Sequence, residues 1–515
     1  MTRRSWTFVL TLAAMSSSLV AFTWAQSAPD RFSQFWGSLY SPAVATDARA
    51  AQQPGAQRLQ SSTGAAVVDR VHHWNRIAID TSGLDHTPVQ PGEDRVFGEQ
   101  LGPGRAARAM AVVHIAIFDA VNAIAKRYRS FTGIRDAPSG ASMDAAIAQA
   151  AHDTLVAMFP SQKAHCDQVL AEELAAIEDG PAKTEGIRTG LRAARAILAR
   201  TADDGSDHAE PVLGEGFQTS NAPGKWRQDP ISQLPVALGA HWGEVTPLVI
   251  PSGSSFRAAA PPAMNTAAYA AAYNEVKRLG GDGVTTRTAR TDDQTHAAIY
   301  WAYDGTPSLC APPRLYNQIV MQIADQMGTD TVDLARVLAL VNVAMSDAGI
   351  ACWESKYYYQ LWRPITGIRE SDKGTGPTGQ GDGNPNTTGD PTYSPLGAPA
   401  SNLQGPNFTP PFPAYPSGHA TFGGAVFQML RLVYRTNEIP FTFVSDEFNG
   451  ETYDNHGVLR PLLPRSFKTL SQAEEENGQS RIYLGIHWSF DKTAGIKQGR
   501  QIANYVYRTK FLPRR

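Results

Sequence analysis

Apolar positions recur at three- and four-residue intervals along most of this chain. The pattern predicts helices over 67–79, 106–128, 143–158, 164–177 and 185–200. It resumes over 266–279, 291–302, 313–326, 331–351 and 420–434. Few stretches alternate with the period of two that a half-buried strand requires. The expected fold is therefore all-α, built from packed helix bundles. Two long segments interrupt the pattern. Residues 202–264 are rich in Gly, Pro and Trp and read as loop. Residues 371–415 form a Gly/Pro/Asn/Thr-rich connection, and loops of that length inside a compact domain serve function or stay unstructured. Its 374–388 portion reads as a surface insertion. Its end runs straight into Pro416-Ser417-Gly418-His419 and is expected to form the rim of a site.

The first residues carry a different signal. Arg3 and Arg4 precede a mostly apolar run to Phe22, and Ala25 offers a small residue before a cut. Residues 1–25 are expected to be a cleaved signal peptide, so the protein should be secreted or periplasmic. No other segment reads as an uninterrupted membrane span, since 106–125 contains Arg108 and Asp119. A multispan membrane protein is therefore not expected. Residues 26–64, rich in Ala, Gln, Ser and Pro, read as a loose extension. The remainder divides into an N-terminal helical region, 65–280, and a C-terminal one, 281–515. A formal net charge of −2 argues against general nucleic-acid binding. Cys166, Cys310 and Cys352 are too few for a disulfide framework or a zinc cage and are expected to be buried.

The chemistry concentrates in three short segments of the last third. Lys356 and Arg363 lie seven residues apart before Pro364, a spacing that would place both on one helical face. Ser417-Gly418-His419 precedes the helical run 420–434 and so sits at a helix N-terminus, where unpaired N–H groups and the positive dipole end attract anions. Arg481 and His487 are six apart. They can face one ligand if the arginine reaches round, or if Gly485 breaks the helix between them. Asp491, four residues beyond His487, is placed to accept the second ring N–H and fix its tautomer. The inventory of three cations, a hydroxyl, a helix terminus and two imidazoles suits a tetrahedral oxyanion.

These motifs, with the stretch Pro410-Pro411-Phe412-Pro413-Ala414-Tyr415 that leads into the second of them, resemble those of the vanadium-dependent haloperoxidases, especially the fungal chloroperoxidase type. That family shares its site with type 2 phosphatidic acid phosphatases and bacterial class A acid phosphatases. The resemblance runs from about 293 to 491 and implies two four-helix bundles around the anion. It implies vanadate as cofactor, with His487 as its covalent ligand. Lys356, Arg363, Ser417, Gly418 and Arg481 would hold the vanadate oxygens, and His419 would be the acid–base residue. Asp304 matches an acid that pairs with Arg481. Trp353 and Phe412 match the aromatic wall of the halide site. Bromide-preferring algal relatives carry His where Phe412 stands, which points to chloride.

The implied reaction is oxidation of halide by hydrogen peroxide to hypohalous acid, with Lys356 polarising the bound peroxide and a small organic molecule accepting the halogen. Two other functions use the same residues. An acid phosphatase would form a phosphohistidine at His487, with His419 protonating the leaving group. A phosphate carrier would need the cations but not two imidazoles. Chain length, the missing multispan pattern and the Trp353/Phe412 pair favour the peroxidase.

Overall fold

The computed structural model describes residues 30–43 and 69–514. The expected signal segment 1–25 lies outside them. Among the described residues, six α-helices precede residue 201: α1 (Arg31–Trp36), α2 (Arg70–Asp85), α3 (Pro103–Ala125), α4 (Met143–Met158), α5 (Lys163–Ala175) and α6 (Pro181–Arg200). After the loop-rich stretch come α7 (Ala267–Leu279), α8 (Asp292–Tyr300), α9 (Pro312–Gln326), α10 (Thr331–Tyr359) and α11 (Pro364–Arg369). The chain closes with α12 (Gly418–Tyr434), α13 (Leu470–Tyr483) and α14 (Ser489–Thr509). Among the described residues, strands are confined to two short antiparallel pairs: β1 (Ser41–Pro42) with β2 (Leu403–Gln404), and β3 (Phe441–Phe443) with β4 (Arg465–Phe467).

Local chemistry sets the helix starts. Asp69, Ser142, Thr266, Asp330 and Thr469 accept from first-turn N–H groups, and Thr291 with Gln294 forms a capping box. Pro103, Pro181, Pro312 and Pro364 open helices where a missing N–H costs nothing.

Helices α3, α4 and α6 pack on one another, and α12, α13 and α14 form a second group. The 29-residue α10 touches both. Its residues Val337 to Trp353 are buried on every face, which explains their almost continuous apolar run. Both α3 and α10 are long and apolar enough to cross a bilayer by composition, contrary to the sequence expectation of no further candidate. In each, 94% of the apolar window is buried in protein, so they are core helices.

Two segments expected to be loose are built into the structure. Within 26–64, residues 30–43 carry buried Phe32, Phe35, Trp36 and Tyr40, and pair through β1 with the far end of the chain. Within 374–388, Asp382, Asn384 and Thr387 are buried. The Asn384 amide donates to the Met264 and Thr266 carbonyls. Hydrogen-bonding side chains, rather than apolar ones, anchor that loop, so hydropathy did not reveal it.

The contact between α12 and α14 sets the geometry of the site. Gly495, Gly499 and Gly424 let the two backbones meet. A Cβ on Gly499 would lie 2.0 Å from the Thr421 carbonyl oxygen, and one on Gly495 would lie 2.7 Å from that of Ser417. Gly499→Ala should therefore push the helices apart and lower the unfolding free energy by about 1–3 kcal/mol, read as a reduced denaturation midpoint. An unchanged midpoint would mean that this crossing can relax freely.

Candidate active site

The three motifs converge. Lys356 reaches the site from the last turn of α10. That helix stops at Gln360, which adopts a left-handed φ of +54°, so Lys356 and Arg363 do not share a helical face as their spacing suggests. Arg363 instead precedes α11, with Pro364 in its first turn. Ser417 is the N-cap of α12, as expected. Arg481 ends α13. Gly485, at φ +74°, then turns the chain so that His487 lies in the short link before α14. Of the two ways in which Arg481 and His487 could meet, the broken helix is the one the structure uses. A side chain at 485 would also be blocked, because its Cβ would sit 2.4 Å from the Gly280 carbonyl oxygen.

All three cations are buried: Lys356, Arg363 and Arg481 are each 1% exposed or less. Their hydrogen bonds show how they are held. Lys356 Nζ donates to the carbonyls of Pro413, Ala414 and Pro416, which uses all three ammonium protons on the rim loop. Arg363 donates to the carbonyls of Phe412, Ile486 and Pro410, stapling that loop to the His487 link. Arg481 Nη2 makes a two-pronged contact with Asp304, at 2.7 and 2.8 Å. Its Nε and Nη1 are buried with no partner. Ser417 Oγ accepts from the Ala420 N–H and retains its own proton to donate.

The tautomers of both imidazoles follow from their neighbours. Arg363 Nη1 lies 2.9 Å from His487 Nε2, and arginine can only donate, so Nε2 carries a lone pair. The ring proton is then on Nδ1, 2.8 Å from Asp491 Oδ2, the contact expected from their spacing. His419 Nε2 donates to the Ala302 carbonyl, which leaves Nδ1 as its basic atom, 4.0 Å from Asp304 Oδ1. Burial is the main cause of every shift in charge here. It pushes Lys356 down to about 7 and Arg363 down to about 9, and lifts Asp491 to about 7. Burial, then Arg481, holds His419 well below the usual imidazole range. Burial, then Arg363, does the same for His487.

Phe412 and Trp353 stand together, ring centroids 5.0 Å apart, with Lys356 Nζ 5.0 Å from the Phe412 centroid. Gly418 backs onto this pair, since a Cβ there would meet the Trp353 ring at 3.2 Å. Thus Asp304, Trp353, Phe412, Gly418, His419, Arg481 and His487 line one pocket; Lys356, Arg363 and Asp491 adjoin it through Phe412 and His487, and Ser417 precedes Gly418. Two further residues did not stand out in the sequence. Tyr316 and Asn477, both fully buried, donate to the His419 carbonyl at 2.9 and 3.0 Å. Asn477 lies one helical turn before Arg481, so an Asn on the same face of α13 was the available signal.

The arrangement fits a compact oxyanion. Three buried cations face two carboxylates, unspent donors point to missing acceptors, and one neutral imidazole offers a lone pair. Among the described residues no group of three or more His, Cys, Asp or Glu side chains converges as a cation site.

Comparison with known proteins agrees. A family model described as the VCPO second helical-bundle domain matches residues 336–511. Vanadium chloroperoxidase from Curvularia inaequalis is 31% identical over 504 residues, spanning 82% of this chain and 78% of that protein. The fold is shared with a structure titled the first bacterial vanadium-dependent iodoperoxidase, at TM-score 0.66 and 22% identity, covering 86% of this chain and 97% of the other. A holo-type bacterial vanadium-dependent chloroperoxidase superposes with TM-score 0.57 at 18% identity, covering 84% and 97%. With nearly a third of its residues shared with the Curvularia enzyme across most of both proteins, the chain belongs to the vanadium-dependent haloperoxidase family.

Proposed function

We propose that the protein oxidises chloride or bromide with hydrogen peroxide to a hypohalous acid equivalent, which passes to a small organic acceptor. The observation that carries this reading is the buried cluster of Lys356, Arg363 and Arg481 around His487, whose Nε2 lone pair is met only by Arg363, with Arg481 Nε and Nη1 unpartnered. Vanadate would be held by His487 Nε2 and Arg363 once they give up their mutual contact, by Arg481, the Ser417 hydroxyl and the Gly418 N–H, and by Lys356 once it releases one of its three carbonyl partners; when bound it would supply a Lewis-acid centre at which peroxide becomes electrophilic towards halide.

The protein's own residues do the rest. Asp491 keeps the His487 proton on Nδ1 and so keeps Nε2 available. The first-turn N–H groups of α12 and the buried cations neutralise negative charge without reorganising. His419 stays neutral, and its Nδ1 takes a proton from incoming peroxide; Asp304 at 4.0 Å then stabilises the imidazolium. Tyr316 and Asn477 fix the backbone from which that ring projects. The faces of Trp353 and Phe412 exclude water beside Lys356, where a weakly hydrated halide can sit. Phe412, where bromide-preferring relatives carry His, supports competence for chloride.

Purified protein in phosphate-free buffer should oxidise halide only when orthovanadate is added with hydrogen peroxide. Vanadate-inhibited phosphomonoester hydrolysis without halide oxidation would assign the site to a phosphatase instead. Lys356→Ala should slow halide oxidation by about 10²–10³-fold while weakening vanadate binding much less. Equal losses would remove its proposed role. Asp491→Ala should weaken vanadate binding about 10–100-fold by equilibrium dialysis. Unchanged affinity would show that His487 does not depend on it.

A further inference from the structure

Arg363 borders a second cavity besides the oxyanion pocket. It is small, about 10 Å³, which is close to one water-sized sphere. Leu234, Pro410 and Pro411 line both cavities, so the two share a wall. The polar lining of the small one comes from Arg227, Gln228, Asp229, Arg363 and Thr409. Two of these residues carry a buried polar atom with no partner, Arg227 Nη1 and Thr409 Oγ1. Neither residue is loosely held. Arg227 gives its other terminal nitrogen, Nη2, to Glu370. Thr409 is 3% exposed, and its N–H donates to Asp229. Arg363 Nη2 has one contact, 3.3 Å to the Pro410 carbonyl. Donors therefore converge on the cavity while acceptors are scarce. Asp229 Oδ1 already accepts from the Ile231 N–H, and Oδ2 accepts from the Ser232 hydroxyl and the Thr409 N–H.

We propose that this cavity binds a single monatomic halide, chloride or bromide, through Arg227 Nη1, the Thr409 hydroxyl and the Arg363 guanidinium. Three arguments select that ligand. The first is hydrogen bonding. A water there would meet the two unpaired donors but would bring two protons of its own, and Asp229 and the Pro410 carbonyl are already engaged. A halide brings lone pairs only. The second is charge. Two guanidinium groups line the cavity against the one carboxylate of Asp229, whose charge is met by three donors. The third is size. Space for one water-sized sphere excludes nitrate, sulfate, phosphate and vanadate, whereas a monatomic ion needs only a slight yielding of the long Arg227 side chain. The site is distinct from the position beside Trp353 and Phe412, neither of which lines it. It sets a halide against the same guanidinium that meets His487, one shared wall from the oxyanion pocket. It depends on shape and donors alone, and holds whether or not the neighbouring pocket oxidises halide.

The probe is bromide, located by its anomalous signal in crystals of the vanadate-free protein soaked in sodium bromide. The wild type should show a peak between Arg227 Nη1 and Thr409 Oγ1. Thr409→Val keeps the side-chain shape and removes the hydroxyl, and Arg227→Gln removes the guanidinium. Each should lose the peak. Thr409→Ser, which retains the hydroxyl, should keep it, and so separates loss of a donor from a disturbed fold. In solution, the broadening that the wild type imposes on the chloride NMR resonance should fall in Thr409→Val and persist in Thr409→Ser. Four results would each overturn the proposal. They are no bromide peak in the wild type, density there without anomalous signal (an ordered water), a peak that survives both Thr409→Val and Arg227→Gln, and chloride broadening that is the same in the wild type and Thr409→Val. Bromide beside Trp353 and Phe412, and halide oxidation with vanadate, bear on the haloperoxidase reading instead, so the two can fail separately.

Discussion

The structure is organised around positive charge that the protein buries and does not neutralise. Taking an ammonium and two guanidinium groups out of water is costly, and mutual repulsion adds to the cost. Two carboxylates, Asp304 and Asp491, offset part of it. Backbone carbonyls of 410–416 and of Ile486 accept most of the hydrogen bonds that water would otherwise have accepted. What remains is the unspent pair of donors on Arg481 and a depressed Lys356. An arrangement of this kind is tolerable in a stable protein because a bound oxyanion removes the imbalance. The same desolvation that makes the cluster costly strengthens its hold on a multiply charged ligand.

Such a cluster needs a rigid frame. The long buried helix that carries Lys356 supplies one wall, and the glycine-mediated crossing of the Ser417 and Asp491 helices supplies another. Ser417 N–H donates to the Asp491 carbonyl across that crossing, so the N-terminus that faces the anion is fixed to the helix that orients its ligand. Tyr316 and Asn477 add a second anchor at the His419 carbonyl. The cations then act partly as ligands for the backbone: Lys356 and Arg363 shape the loop that carries Phe412 as well as offering charge.

Much of this was legible in the sequence, for physical reasons. Helix periodicity marked the bundles because each helix buries a face, but it read 331–351 as one more such helix and did not show that this one is buried on nearly every side. The site showed because an oxyanion demands unusual residues at short, definite spacings. The Ser417-Gly418-His419 and His487/Asp491 relations are local, so sequence distance translated directly into geometry. Lys356 and Arg363 misled, because the left-handed residue Gln360 ends the helix between them and has no strong sequence signature. The role of Tyr316 was invisible because it arises from a contact 103 positions away, and that of Asn477 showed only as an Asn on the Arg481 face of its helix. The 374–388 loop looked disordered because side-chain hydrogen bonds, to which hydropathy is blind, hold it.

The account stands on one claim, that the buried cations and the His487 lone pair form a single oxyanion site. The most direct test is the crystal structure of the protein with orthovanadate, with the metal located by its anomalous signal. The account predicts vanadium bonded to His487 Nε2, with Arg481 Nε and Nη1 turned onto its oxygens and the Arg363–His487 contact replaced. Vanadium bound elsewhere, or a His487 still capped by Arg363 at saturating vanadate, would contradict it.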